Sequence, residues 1–383
     1  MLLGTWGLGV TFLLWKHAFV RADLYHTGFL FGCVPVLAMT FKIIPSASKS
    51  LRVAASGLAL LCCSVCLATV QSMIIPGDLN SALLQPYRSI AANFAKLVNP
   101  STCREQIQSE LDVEQSLNKL PKLSAMIGSK SVDMFGFSQA AVLLNGLNYT
   151  PRPVFQSYAA YNAPLALLNQ EFYLSKSAPH FVLFQLVGMD RKFPPLEDAL
   201  LLRHLLINFV PEATEGPFLL LKSKSAEPAR LKLLREGTAR PSQQIDLAGF
   251  GDSDLWMEVN LEPTLIGGLK QFFYQSSKVR LVLWHGPPEK RKVRRFRAPP
   301  PMLRAGFLVS PLQLNNDDVL NCYRGEEIKR PVACAIELNP GTENSWREII
   351  RFRLYKIENR LGRSGTAAFS ESPGPGEPGQ GSP

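Results

Sequence analysis

The sequence predicts a membrane α-helical N-terminus of about three spans, followed by an α/β unit and an antiparallel β-sandwich. Three observations carry this fold class. Val53–Ile75 holds no charged side chain and is long enough to cross a bilayer core of about 30 Å as a helix of roughly 20 residues. The stretch from 77 to 242 alternates helical and strand patterns. From Gln243 onward, short alternating apolar runs recur between turn residues. The domains expected are 1–76 as a transmembrane region, 77–242 as an extracytoplasmic α/β domain, 243–360 as a β-sandwich and 361–383 as a disordered tail.

In chain order, the first apolar run is Leu2–Trp15. It lacks the charged start and cleavage site of a signal peptide. It reads either as the end of a helix whose beginning lies upstream or as a short, tilted first helix. A polar connection follows with Lys16, His17, Arg21, Asp23, Tyr25 and His26, then a second apolar run, Thr27–Ile44. Val53–Ile75 is apolar on every face, a pattern found in lipid or deep in a large core, and its length favours lipid. Cys62, Cys63 and Cys66 within it read as small packing residues. Lys42, Lys49 and Arg52 between the second and third spans place that loop in the cytoplasm. The chain is thus expected to be multi-pass, with its C-terminal region extracytoplasmic.

The 77–242 part begins with a helix capped by Ser101, then a helix-bearing segment Ser131–Leu147. Two prolines in Tyr149–Tyr161 fix an extended backbone around Arg152. There Arg152, Gln156, Tyr158 and Tyr161 form a candidate site for a sugar, phosphate or carboxylate. The competing reading makes Arg152 a buried connector residue that pairs with a nearby acid or backbone carbonyls. Further on the pattern gives helices at Ala163–Tyr173 and Glu197–Phe209 and strands at Pro179–Val187 and Gly216–Lys224. Glu197 and Asp198 suit a helix N-terminus better than paired catalytic acids.

The β-sandwich rests on six runs: Leu255–Leu261, Lys278–Trp284, Arg291–Arg297, Gly306–Leu312, Val332–Leu338 and Glu348–Ile357. Gly267-Gly268 is among the turn signals between them. Cys322 and Cys334 can pair if oxidised or stay reduced and buried. Glu289–Arg297 is strongly basic, which fits a solvated strand edge first and anionic headgroups second. The chain carries 41 Lys and Arg against 31 Asp and Glu, net +10. Beside a membrane region that balance is assigned to the membrane surface, and nucleic acid is not expected as a partner. There is no Walker loop, dinucleotide fingerprint, zinc-protease motif or nucleophile elbow. No cofactor is implied.

Three segments resemble a known group. Lys16, Phe19, Val20, Arg21, Asp23 and His26 resemble an outer loop of large uncharacterised bacterial multi-spanning membrane proteins. Tyr149–Tyr161 resembles a proline–arginine–proline segment after their last span, and Gly306, Phe307, Leu308, Ser310, Pro311 and Leu312 resemble part of their C-terminal β domain. That resemblance implies that the membrane is a bacterial inner membrane. The overall plan is similar to GT-C-type membrane glycosyltransferases that use lipid-linked sugar donors. That similarity implies a catalytic acid at Asp23, the one acidic residue among the first 77, with Arg21 to bind phosphate and His26 to orient it. This chain has fewer spans than the plan. The function expected is therefore a non-catalytic module associated with envelope glycans or membrane lipids. The alternative is a complete or truncated glycosyltransferase acting on a lipid-linked sugar.

Overall fold

The computed structural model describes residues 2–21, 26, 30, 33, 48–74, 79–326, 328–359 and 361. It divides into two compact units. One comprises Met1–Glu110 with Leu265–Ser277, the other Leu111–Thr264 with Lys278–Pro383.

In the first unit, helix α1 spans Leu2–Arg21, α2 Lys49–Ile74 and α3 Leu79–Val98. Helix α4, Pro100–Leu117, starts here and runs into the second unit. The three membrane spans are overturned: among the described residues, no helix is long and apolar enough to cross a membrane. Helix α2 opens with two basic residues, Lys49 and Arg52. Of Thr27–Ile44 only Leu30 and Cys33 lie within the described residues. The multi-pass inner-membrane placement and the extracytoplasmic side fall with the spans.

The second unit starts with α5 (Pro121–Ile127), β1 (Val132–Phe135), α6 (Gln139–Leu144), α7 (Ala163–Leu174), β2 (Phe181–Phe184), α8 (Ala199–Asn208), β3 (Phe209–Glu215) and β4 (Phe218–Ser223). The sheet order is β1-β2-β4-β3. β1 and β2 are parallel, Val132 opposite Phe181, and the other pairs are antiparallel. A parallel pair needs a long crossover, which α6, the Pro-rich connector and α7 supply. Both ends of the sequence signal are visible: β1, β2 and most of β4 are buried throughout, as strands covered on both faces are.

The remainder forms two antiparallel sheets. β5 (Leu231–Ala239), β7 (Leu255–Asn260), β10 (Phe307–Ser310) and β12 (Ile350–Ile357) make one, in the order β10-β7-β12-β5. β6 (Ile245–Asp246), β8 (Val279–His285), β9 (Lys292–Arg297) and β11 (Pro331–Leu338) make the other, in the order β6-β11-β8-β9. All six expected runs became strands. Gly267-Gly268, expected as a turn, instead lies inside α9 (Leu265–Phe273). Two more helices, α10 (Pro300–Ala305) and α11 (Asn316–Arg324), lie between β9 and β11.

One hydrophobic core joins these parts, from Phe135, Tyr173, Leu201 and Leu205 through Trp256 and Phe307 to Leu281 and Cys334. A smaller core on the other face of the first sheet holds Leu123, Ile127, Met134, Val142 and Leu220. Cys322 and Cys334 are free and buried. Gln313 Nε2 donates to Cys322 Sγ at 3.0 Å, and Cys334 Sγ sits 3.6 Å from Met257 Sδ. Burial pushes the two thiols up, to about 11 and about 12, so both stay protonated packing groups.

Candidate functional site

Strand alternation sets the site. In β1, Val132 and Met134 enter the smaller core and Phe135 the larger one. Asp133 therefore points to the larger core's side, where it is completely buried. A carboxylate there is costly unless a cation meets it. The cation is Arg152, itself 1% exposed. Its Nη1 donates to Asp133 Oδ2 at 2.9 Å and also to the Met134 carbonyl. Nε donates to Asp198 Oδ2 at 3.0 Å and Nη2 to Ser157 Oγ at 2.8 Å. Tyr173 donates its hydroxyl to Asp133 Oδ2 at 2.7 Å, and Asn169 Nδ2 donates to Asp198 Oδ2 at 2.7 Å.

Burial raises the Asp198 carboxyl to about 7, against the opposing pull of Arg152. Arg152 stays charged: burial works against it, but Asp133 and Asp198 outweigh that and raise its pKa. The hub ties β1, the Pro-rich connector, α7 and the start of α8 together. Asp198 itself holds a left-handed backbone (φ 49), as do Asp190 (φ 54) and Arg191 (φ 59) nearby. Each such non-glycine residue costs roughly 1–2 kcal/mol, and it persists only where surrounding contacts fix it. Here those contacts are Arg152 on Asp198 and Lys192 on Glu197 at 3.1 Å, with Met189 N–H on Glu197 at 2.7 Å. Glu197 and Asp198 thus serve as ion-pair partners, and Asp198 makes no side-chain cap bond to α8.

Helix α8 carries the arrangement onward. Its Arg203 lies with the guanidinium carbon 4.1 Å from the centroid of the Trp256 ring, a cation–π contact. Burial lowers the Arg203 pKa to about 10, and Glu258 on β7 partly restores it. Glu258 also accepts from Tyr355 Oη at 3.2 Å. It lines a groove of about 380 Å³ on the β5–β12–β7 surface, within the size range of small-ligand sites. The walls alternate in sign: Glu236, Glu258 and Glu262 against Arg304, Arg351 and Arg353. Arg353 pairs with Glu236 at 3.4 Å, and Arg304 Nε donates to Asn260 Oδ1 at 3.1 Å.

The predicted site residues separate in space. Arg152 turns inward to the hub. Tyr158 donates its hydroxyl to Gln156 Oε1, and its ring lies 5.9 Å from Lys192 Nζ. Tyr161 is exposed. They do not converge on one pocket, because Arg152 is consumed by two buried acids. Asp23 lies outside the described residues, as does the Arg21 side chain; the His26 ring sits 4.8 Å from His17. The basic run forms edge strand β9, where Arg295 meets Glu337 at 3.2 Å and Arg297 meets Asp190 at 3.6 Å. Among the described residues no His, Cys, Asp or Glu cluster could hold a metal ion. Sequence reasoning missed Asp133, Asn169, Tyr173 and the groove. Asp133 had a signal, a lone acid inside the apolar run Val132–Phe135.

Two buried groups in this region titrate in opposite senses. His204 is lowered to about 4 by burial and by Arg203. Its folded pKa lies below the unfolded value, so it favours folding above about 6.5 and loses this as pH falls towards 4. Asp198 is raised, so its contribution is full below about 4 and is lost as pH rises through about 7. Between pH 4 and 6.5 the two slopes oppose each other. Melting temperature against pH is expected to fall with rising pH in His204→Gln and to rise in Asp198→Asn. Parallel profiles in the two variants would sink this assignment.

Comparison with protein families, with curated proteins and with solved structures found no match for the chain.

Proposed function

We propose that the second unit is a non-catalytic module that binds a glycan in the β5–β12–β7 groove. The observation that supports it is the set of walls: three glutamates facing three arginines, all but Arg304 on or beside sheet strands. Equal numbers of opposite charges give a polar site without net sign, which suits a neutral polyhydroxylated ligand better than a polyanion. A carboxylate accepts from two sugar hydroxyls, and a guanidinium donates a matched pair of N–H groups to adjacent oxygens. Arg353–Glu236 and Arg347–Glu262 are well exposed. Such pairs are worth only about 0–1 kcal/mol, so exchanging them for ligand hydroxyls costs little. Strands hold the groove more firmly than loops would. The glycosyltransferase reading rested on Asp23, which lies outside the described residues, and nothing in the groove supports it.

A glycan array probed with the full chain tests this. Arg351→Ala with Arg304→Ala removes two donors without touching the core. Each charge-assisted hydrogen bond is worth about 1.5–3 kcal/mol, so neutral-glycan retention is expected to drop at least about tenfold. Retention unchanged in the double variant, or absent in the wild type, refutes the proposal.

A further inference from the structure

A second surface, independent of the groove, lies in the first unit. Helix α9 leaves and re-enters the chain between β7 and β8 and carries Leu265, Ile266, Leu269, Phe272 and Phe273. Their exposures are 89%, 57%, 59%, 57% and 53%. Positions 265, 269, 272 and 273 recur at helical spacing, so they share one face. Side chains of this size are normally buried, and a contiguous exposed set marks a contact surface.

Helix α1 holds α9 in place. Trp15 Nε1 donates to the Phe273 carbonyl, and Lys16 Nζ donates to the Gln271 carbonyl at 2.8 Å and the Tyr274 carbonyl at 3.4 Å. These donors satisfy carbonyls that the C-terminal end of α9 leaves open. Phe12 stacks on Phe272 at 5.3 Å, and Phe19 lies 5.3 Å from Tyr274. Even so, Phe272 and Phe273 stay more than half exposed.

What covers this face is indicated by its rim. Neither Leu2–Arg21 nor Leu265–Ser277 contains an acidic residue, while Lys16 on α1 and Lys270 on α9 are basic. Trp15 and Tyr274 add amphipathic rings beside the apolar stripe. An aromatic and aliphatic face whose own two segments carry cations and no acid matches the chemistry of a helix lying in a headgroup layer. We propose that α9, clamped by α1, lies in the surface of an anionic lipid layer without crossing it.

The test is co-sedimentation of the full chain with phosphatidylcholine vesicles, with and without about one third phosphatidylglycerol. Burying each apolar side chain contributes roughly a factor of ten in partitioning, and one basic charge at an anionic surface about fivefold. Leu265→Ser with Leu269→Ser is expected to weaken binding at least about tenfold on anionic vesicles. Lys270→Glu is expected to weaken it on anionic vesicles and leave neutral vesicles unchanged. Leu265 and Leu269 are exposed, so melting temperature should hold in the double variant. Binding that persists undiminished in the double-serine variant overturns the proposal, as does wild-type protein that ignores vesicles. If the double-serine variant instead changes only the self-association of the chain, the face is an interface between copies, and the lipid assignment is wrong.

Discussion

Arg152→Met is expected to lower the unfolding free energy by about 3–5 kcal/mol, the range for breaking a buried ion pair from one side. The substitution keeps much of the volume and removes the only cation that, among the described residues, pairs with Asp133 and Asp198. Both acids have completely buried side chains, as does Arg152. Asp133 Oδ1 and Asp198 Oδ1 already lack partners, so little remains to absorb the loss. Asp198 can escape in part by taking a proton, since burial already raises its pKa to about 7. The destabilisation should therefore be smaller at pH 5 than at pH 8. Arg152→Lys should fail too: one ammonium cannot reproduce a guanidinium that bonds Asp133, Asp198, Ser157 and a carbonyl in one plane. Urea unfolding followed by far-UV circular dichroism measures this. A loss below about 1 kcal/mol for Arg152→Met would mean that water or a rearrangement reaches the acids, and the hub would not be the organiser described above. Adding Asp133→Asn and Asp198→Asn to Arg152→Met should recover part of the loss, because removing all the charges removes the desolvation cost.

How much of this was readable beforehand differs by element, for physical reasons. Among the strands from Leu255 to Ile357, β12 was legible because it alternates against one packed face, with Ile350, Phe352, Leu354 and Ile357 inward. β5 was not: Leu231–Glu236 reads as helix by propensity, and only pairing along β12 makes it a strand. β3 was hidden by Pro211, where its register with β4 slips. β1 was hidden by Asp133. The prolines flanking Arg152 marked it as held in an extended backbone, but not as pointing inward. Its partners stand 19 and 46 residues away, and nothing local encodes that distance. The groove was invisible for the same reason, because its walls come from strands around 236, 258 and 351 that only the sheet register brings together. The spans were not legible because an uncharged helix apolar on every face suits a deep core as well as lipid. Gly267-Gly268 was misjudged because glycine pairs usually mark turns, whereas here the apolar face around them formed α9.

Gly306→Ala is expected to destabilise the second unit by roughly 2–5 kcal/mol, and no contact energy of Gly306 itself is involved. Gly306 has φ +88; a side chain in that region costs about 1–2 kcal/mol. A Cβ built there would lie 2.4 Å from Trp256 Nε1 and 2.6 Å from Cε2. One of the two must then move, and overpacking of this kind costs about 1–3 kcal/mol. Trp256 has little freedom: it is 1% exposed and Arg203 lies over its ring. Shifting the indole would also displace Arg203, whose Nε is buried without a partner, and unsettle Glu258 at the groove. Two readouts follow from this chain of contacts. Urea unfolding should show the lost stability, and tryptophan fluorescence of the folded variant should shift as Trp256 leaves its cation. Trp256→Phe removes the atoms nearest the new methyl, so Gly306→Ala placed in that background should cost clearly less than it does alone. Equal costs in both backgrounds would locate the strain in the backbone at Gly306 and not in the Trp256 contact.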